Sequence, residues 1–195
     1  QGVEIPVMSL QNGLDNLEKM RRYLTEDKIL LALTTEACTF LKPGEVEHTG
    51  TGKTLVGSLQ RSDIVGRICT EFRKAGFRTM VSRNIIRDMW KKAIVNACIN
   101  PLTAILEVKN GFLMDDVLGS IVEDICQECI DVARSAGVEM DFNEMIKEVT
   151  SVIESTSENL SSMLQSILKG KKTEIDSING YICKLGRRYG KDIKL

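Results

Sequence analysis

Strand-like and helical segments alternate as far as Ser82, and after Asn84 the strand signal disappears. A strand repeats its buried positions every two residues and a helix every 3.6, so such a chain must build two kinds of core. The expected fold class is therefore α/β followed by all-α, with residues 1–83 as one domain and 84–195 as the other. In the first part, residues 3–10 are short and β-rich and end at the turn Gln11-Asn12-Gly13. Leu14, Leu17, Met20 and Leu24 repeat at helical spacing, and 28–38 form a strand. Residues 45–49 and 53–59 are expected to pair as a hairpin around Gly50-Thr51-Gly52. Ser62 is placed to cap a helix bearing Ile64, Val65, Ile68 and Phe72, Gly76 ends it, and 77–82 return to strand. The second part predicts helices over 86–106, 118–136, 158–168 and 173–185, and a further one bearing Met145 to Ile153 behind a cap at Asp141 or Asn143. Thr173 and Asp176 have capping-box spacing, and Gly180 is expected to admit a close helix–helix approach.

Composition removes several classes of function. With 26 Lys+Arg against 27 Asp+Glu, the net charge of −1 offers no field for a phosphate backbone, so nucleic acid is not expected as a partner. The longest apolar run, residues 29–33, is five residues, where a membrane span needs roughly 20. The first residues, Gln1-Gly2-Val3-Glu4, show neither a basic n-region nor an apolar h-region, so no signal peptide is expected and a soluble, cytoplasmic protein with reduced core cysteines is the expectation. Cys126 and Cys129 have C-x-x-C spacing, but inside an amphipathic helical pattern with no second pair and no nearby His, so no metal is expected.

The single histidine, His48, rules out histidine-rich metal centres, and no Gly-x-Ser-x-Gly elbow accompanies it. Acid–base chemistry must then come from Lys, Asp, Glu, Tyr or Cys. Gly50-Thr51-Gly52-Lys53-Thr54 superficially resembles a phosphate loop. The glycine such a loop needs five residues earlier is Glu47, whose carboxylate would repel phosphate.

The most informative stretch runs from Trp90 to Pro101. Between Ala93 and Ile99 every residue but Asn96 is apolar, so the helix is expected to be buried on most sides. Lys92, Asn96 and Asn100 nevertheless follow one another at i, i+4 and i+8 as a polar stripe. Burying an ammonium and two carboxamides without partners costs several kcal/mol, so the stripe must face either a polar cavity holding a ligand or a neighbouring helix that satisfies it. Spacing alone leaves both open. Pro101 cannot donate to the carbonyl of Ala97 and should bend the helix beside the stripe.

Several dispersed segments, in order, resemble the ketopantoate reductase family. They are residues 9–14, His48-Thr49-Gly50-Thr51-Gly52, Trp90-Lys91-Lys92, residues 96–104, Lys109-Asn110-Gly111 and the run from Glu158 to Gly180. The resemblance implies the C-terminal portion of a Rossmann-type dinucleotide domain plus a helical substrate domain. It implies NADPH-dependent reduction of 2-dehydropantoate, with NAD left open, on the way to pantothenate and coenzyme A. Lys92 matches the proton donor and Glu174 the carboxylate that positions the substrate hydroxyl. Asn96, Asn100, Asn110 and Ser162 match substrate-binding groups, and Asn12 the asparagine at the nicotinamide end of the cofactor.

Two departures qualify this. Ser166 stands where the family often has an acidic residue, which keeps a related 2-keto acid or imine reductase in play. No Gly-x-Gly-x-x-Gly is present, so the chain is expected to start late in the dinucleotide domain, to stop before the family's closing helix and to be inactive alone. Strand edges over residues 3–10 and 28–38 are then expected to be covered by a second copy, giving a homodimer. A non-catalytic helical dimerisation module is the alternative from a different class.

Overall fold

A computed structural model describes residues 5–60 and 62–194. The chain divides into two compact units: Asn16–Asp88 with the residues up to Gln11, and Asn12–Asp15 with the residues from Met89 on.

The first unit is built on a four-stranded sheet. Strands β1 (Val7–Ser9), β2 (Ile29–Thr34), β5 (Thr54–Ser58) and β6 (Thr79–Val81) lie in the order β1-β2-β5-β6. β1 runs parallel to β2, β2 antiparallel to β5, and β5 parallel to β6, with Leu30 opposite Ser58 and Thr54 opposite Thr79. β2 is the uninterrupted apolar run, and Ile29, Leu30, Leu31 and Ala32 are all buried. Burial of successive residues, which point to opposite faces, is what a run without alternation requires. Helix α2 (Asp63–Lys74) follows Ser62 and lays Val65 and Cys69 against Leu30, Ala32 and Val56. A short helix α1 (Asp15–Met20) follows the Asn12-Gly13 turn.

Three expectations for this unit change. Residues 45–49 do not pair with 53–59: β3 (Ala37–Lys42) and β4 (Glu45–Gly50) form a separate two-stranded sheet about Pro43-Gly44, and β5 joins β2. Both partners offer alternation, but only β5 carries Val56, whose burial needs a central position. Gly50-Thr51-Gly52 is thus a crossover between sheets. At Gly52 a Cβ would run into the backbone of Thr35, whose N–H donates to Lys53 O at 2.9 Å. Residues 28–38 also do not form one strand with an open edge. They break into β2, paired on both sides, and the start of β3, and β1 and β6 are the outer strands of the described sheet. Val3 and Glu4 of the first expected strand lie outside the described residues.

The second unit is helical apart from its turns. α3 (Ile85–Leu106), which begins in the first unit, runs unbroken through Pro101. α4 (Asp116–Ser135) is capped by Asp115, which accepts from Val117 N at 3.0 Å, and α5 (Phe142–Ser155) by Asp141, which accepts from Glu144 N at 2.8 Å. α6 (Ser162–Leu168) is capped by Ser161. The helix expected over 173–185 is two elements, a 3-10 turn at Ile175–Ser177 and α7 (Asn179–Arg188). Ile178, at φ −108° and ψ −92°, separates them; the turn is preceded by Glu174 rather than Thr173, so the capping box does not form, and Asp176 sits 3.7 Å from Lys172. Asn179-Gly180 thereby opens a helix rather than surviving inside one. A Cβ on Gly180 would meet nothing closer than Ile175 O at 3.5 Å, so no tight helix approach depends on it.

Candidate active site

α3 carries Lys92, Asn96 and Asn100 one turn apart. Ile94, Ala97 and Cys98 on its other faces have no exposed surface, which fixes the rotation of the helix and hence the direction of the polar stripe. Asn100 is buried and Asn96 half-buried. Burial pushes the Lys92 ammonium below its ordinary value, and the carboxylate of Glu174 partly offsets this. A lysine shifted in this way is a stronger acid than a lysine in water.

Glu174 stands on the turn before the 3-10 segment, and its Oε2 accepts a hydrogen bond from Asn12 Nδ2 at 3.0 Å. Asn12 and Glu174 are 162 positions apart, so this contact is visible only in the folded chain. The structure thus brings together Lys92, Glu174 and Asn12, with Asn96 and Asn100 in line on α3.

The other two candidates lie on different elements, the turn at Asn110–Met114 and the start of α6. Asn110 is buried, its Nδ2 donates to Thr156 Oγ1 at 2.9 Å, and its backbone N–H donates to Asn159 O at 3.0 Å. Its Oδ1 is buried with no hydrogen-bond partner among the described residues. Ser162 is the exposed first residue of α6, while its neighbour Ser161 is buried as the cap and lies 2.8 Å from Thr103 Oγ1. The hydrogen bonds of Asn110 run to Thr156 and Asn159, and the Ser162 carbonyl accepts from Ser166 at 3.0 Å.

Two supports of the site carry no motif. Asn179 on α7 donates from Nδ2 to Ala97 O at 3.3 Å, the carbonyl that Pro101 leaves without its helical donor. Pro101 is the sequence signal that such a donor is needed, although it does not say which residue supplies it. Lys91, next to Lys92, reaches Glu144 Oε1 at 2.6 Å and Glu148 Oε2 at 3.3 Å, tying α3 to α5. These carboxylates outweigh the effect of burial and raise the Lys91 ammonium, the opposite of Lys92.

On an adjacent stripe of α3, Ala97, Pro101 and Ile105 line an apolar groove of about 780 Å³ shared with α4 and α7. It contains none of the expected site residues. Among the described residues, no cluster of His, Cys, Asp and Glu could hold a metal ion, and no helix is long and apolar enough to cross a membrane.

Residues 84–195 match the family described as "Ketopantoate reductase PanE/ApbA C terminal", and residues 2–61 match "Ketopantoate reductase PanE/ApbA". The chain is 41% identical over 184 residues to a 2-dehydropantoate 2-reductase of Pyrococcus horikoshii, covering 93% of this chain and 60% of that protein. It is 38% identical over 194 residues to the Archaeoglobus fulgidus enzyme of the same name, covering 95% of this chain and 63% of that one. Among solved structures, D-mandelate dehydrogenase in complex with NADH superposes with a TM-score of 0.92 at 27% identity, covering 97% of this chain and 66% of the other. The chain therefore spans about 60% of the length of the curated relatives it matches.

Proposed function

The chain belongs to the ketopantoate reductase family, and from that premise we propose that it carries the substrate-binding and proton-donating part of an enzyme that reduces 2-dehydropantoate to pantoate. The observation that carries this reading is a desolvated Lys92 facing Glu174, whose carboxylate is held by Asn12. A reduced nicotinamide, NADPH in this reading, supplies a hydride when bound. Lys92 Nζ would give its proton to the ketone oxygen as negative charge builds on that oxygen. The neutral amine then recovers a proton from water. Burial favours the neutral amine and so assists the transfer, while Glu174 keeps enough of the ammonium present to donate. Glu174 also orients the substrate hydroxyl, and Asn96, Asn100, Asn110 and Ser162 bind the polar ends of the acid.

No Gly-x-Gly-x-x-Gly occurs in the 195 residues, so they carry no glycine-rich cradle for the cofactor pyrophosphate. These residues alone are accordingly expected to bind the acid without turning it over. The same reading places the protein in the cytoplasm, with a homodimer as its expected assembly. Ser166 and the likeness to D-mandelate dehydrogenase support a second reading, another 2-keto acid as substrate.

The test is NADPH consumption by a polypeptide that carries this chain behind a glycine-rich dinucleotide-binding segment, assayed with 2-dehydropantoate and a panel of 2-keto acids. Lys92→Ala should lose about two to four orders of magnitude in kcat, the usual contribution of a positioned acid. Full turnover by that variant would overturn the assignment. Preference for another keto acid would select the second reading, and absence of any turnover would favour a non-catalytic module.

A further inference from the structure

Residues Asn12–Asp15 and the turn from Glu174 to Ser177 are fastened together at four points. Asn12 Nδ2 donates to Glu174 Oε2 at 3.0 Å, Leu14 N donates to Ser177 O at 3.1 Å, and Ser177 Oγ donates to Asp15 Oδ2 at 3.2 Å. Gly13, at φ +93°, lies so close that a Cβ there would be 2.7 Å from both Ser177 Cβ and Ser177 O. Leu14 is buried and seats the segment. Ser177 N and Ile178 N in turn donate to Glu174 O at 3.0 and 3.2 Å, so the backbone of Glu174 is tied to the serine that the clasp holds.

Glu174 is exposed, and packing does not fix an exposed carboxylate. Its direction must come from hydrogen bonds. We infer that Ser177 and Asp15 are positioning residues for Glu174: through the clasp they hold the Asn12 carboxamide opposite the Glu174 carboxylate, and so set where that carboxylate meets the hydroxyl of a bound 2-hydroxy or 2-keto acid. The inference rests on the substrate reading proposed above. It accounts for features the motif does not: a glycine at positive φ pressed against a serine, and a serine–aspartate hydrogen bond beside the turn that carries Glu174.

The experiment uses the 195-residue chain with pantoate as probe, binding measured by titration calorimetry and Lys92 titrated by NMR of its side chain. Ser177→Ala and Asp15→Ala should weaken pantoate roughly five- to ten-fold, the loss expected for one partly buried hydrogen bond. Both should also lower the Lys92 titration midpoint, because the Glu174 carboxylate that raises it is no longer held in place. Asp15→Asn keeps an oxygen that accepts from Ser177 and should behave like the parent. Glu174→Gln gives the full size of the Lys92 displacement for comparison. Should Ser177→Ala fail to fold, the Asp15 pair carries the test.

An unchanged Lys92 midpoint in Asp15→Ala, or equal losses in Asp15→Ala and Asp15→Asn, would overturn the inference. If the parent chain binds no pantoate, the substrate reading fails while the Lys92 midpoints still decide whether the clasp positions Glu174.

Discussion

Asn179 and Pro101 form a pair whose coupling can be measured. Ala97 is completely buried, and its carbonyl has lost its helical donor to Pro101 and gained Asn179 Nδ2 at 3.3 Å. Replacing Asn179 by Leu, of similar volume, leaves that carbonyl without a donor, at a cost of about 1–3 kcal/mol. Part of this is returned, because the buried Asn179 Oδ1, which has no partner among the described residues, is removed as well. A net loss of about 1–2 kcal/mol is expected, a fall in Tm of about 2–8 °C for a chain of this size. Pro101→Ala restores an N–H four residues from Ala97 and relieves the helix-interior cost of proline, so by itself it should stabilise. In that background Asn179→Leu should cost under about 0.5 kcal/mol, because Ala97 O keeps a helical donor. The coupling of about 1 kcal/mol is read from a double-mutant cycle in urea. Helix content and the fluorescence of Trp90, the single tryptophan and buried on α3, report the transition. Equal losses for Asn179→Leu in both backgrounds would refute the argument, as would destabilisation by Pro101→Ala.

Two further outcomes follow from the charges in the helical unit. Burial raises the Cys129 thiol well above its unfolded value of 9.0, so folded protein holds a proton that unfolded protein releases and stability should fall as pH rises above about 9. Lys92 has the opposite sign, its folded value lying below 10.5, so its burial penalty is relieved as pH climbs toward 10.5. Thermal melts from pH 8 to 10.5 should therefore show a decline that Cys129→Ala flattens and Lys92→Met steepens, and parallel curves would contradict it. Lys91→Met removes the ion pairs to Glu144 and Glu148 and leaves two like charges one turn apart on α5. Because both carboxylates are substantially exposed, the expected loss is only about 1 kcal/mol and should shrink in high salt. A Tm unchanged at low ionic strength would show that the clamp contributes nothing.

Much of the architecture was legible along the chain because it is local physics. Residues 29–34 were legible as strand, Ser62 and Gly76 bracketed α2, and the cap of α5 fell on Asp141, one of the two residues spacing allowed. Strand pairing was not legible. Residues 45–50 could alternate against either neighbour, and the choice fell to burial of Val56 beside β2, a property of the assembled sheet. The break at Ile178 was hidden for a similar reason. Its neighbours Ile175 and Ile182 keep helical spacing across a residue whose backbone is not helical, because helical spacing specifies which side chains are buried and not whether the backbone between them is continuous.

The sequence by itself determined that a lysine and two asparagines would share one stripe of an otherwise buried helix, since helical periodicity places i, i+4 and i+8 together whatever surrounds them. It also determined, through Pro101, that a buried carbonyl near that stripe would need a donor from elsewhere. Only the tertiary structure decided that Asn179 would supply the donor, that Asn12 would reach Glu174 across 162 positions, and that Gly13 and Asp15 would close on Ser177. Those partners meet because separate helices and turns pack, and no spacing rule within a single segment reports contacts that packing creates.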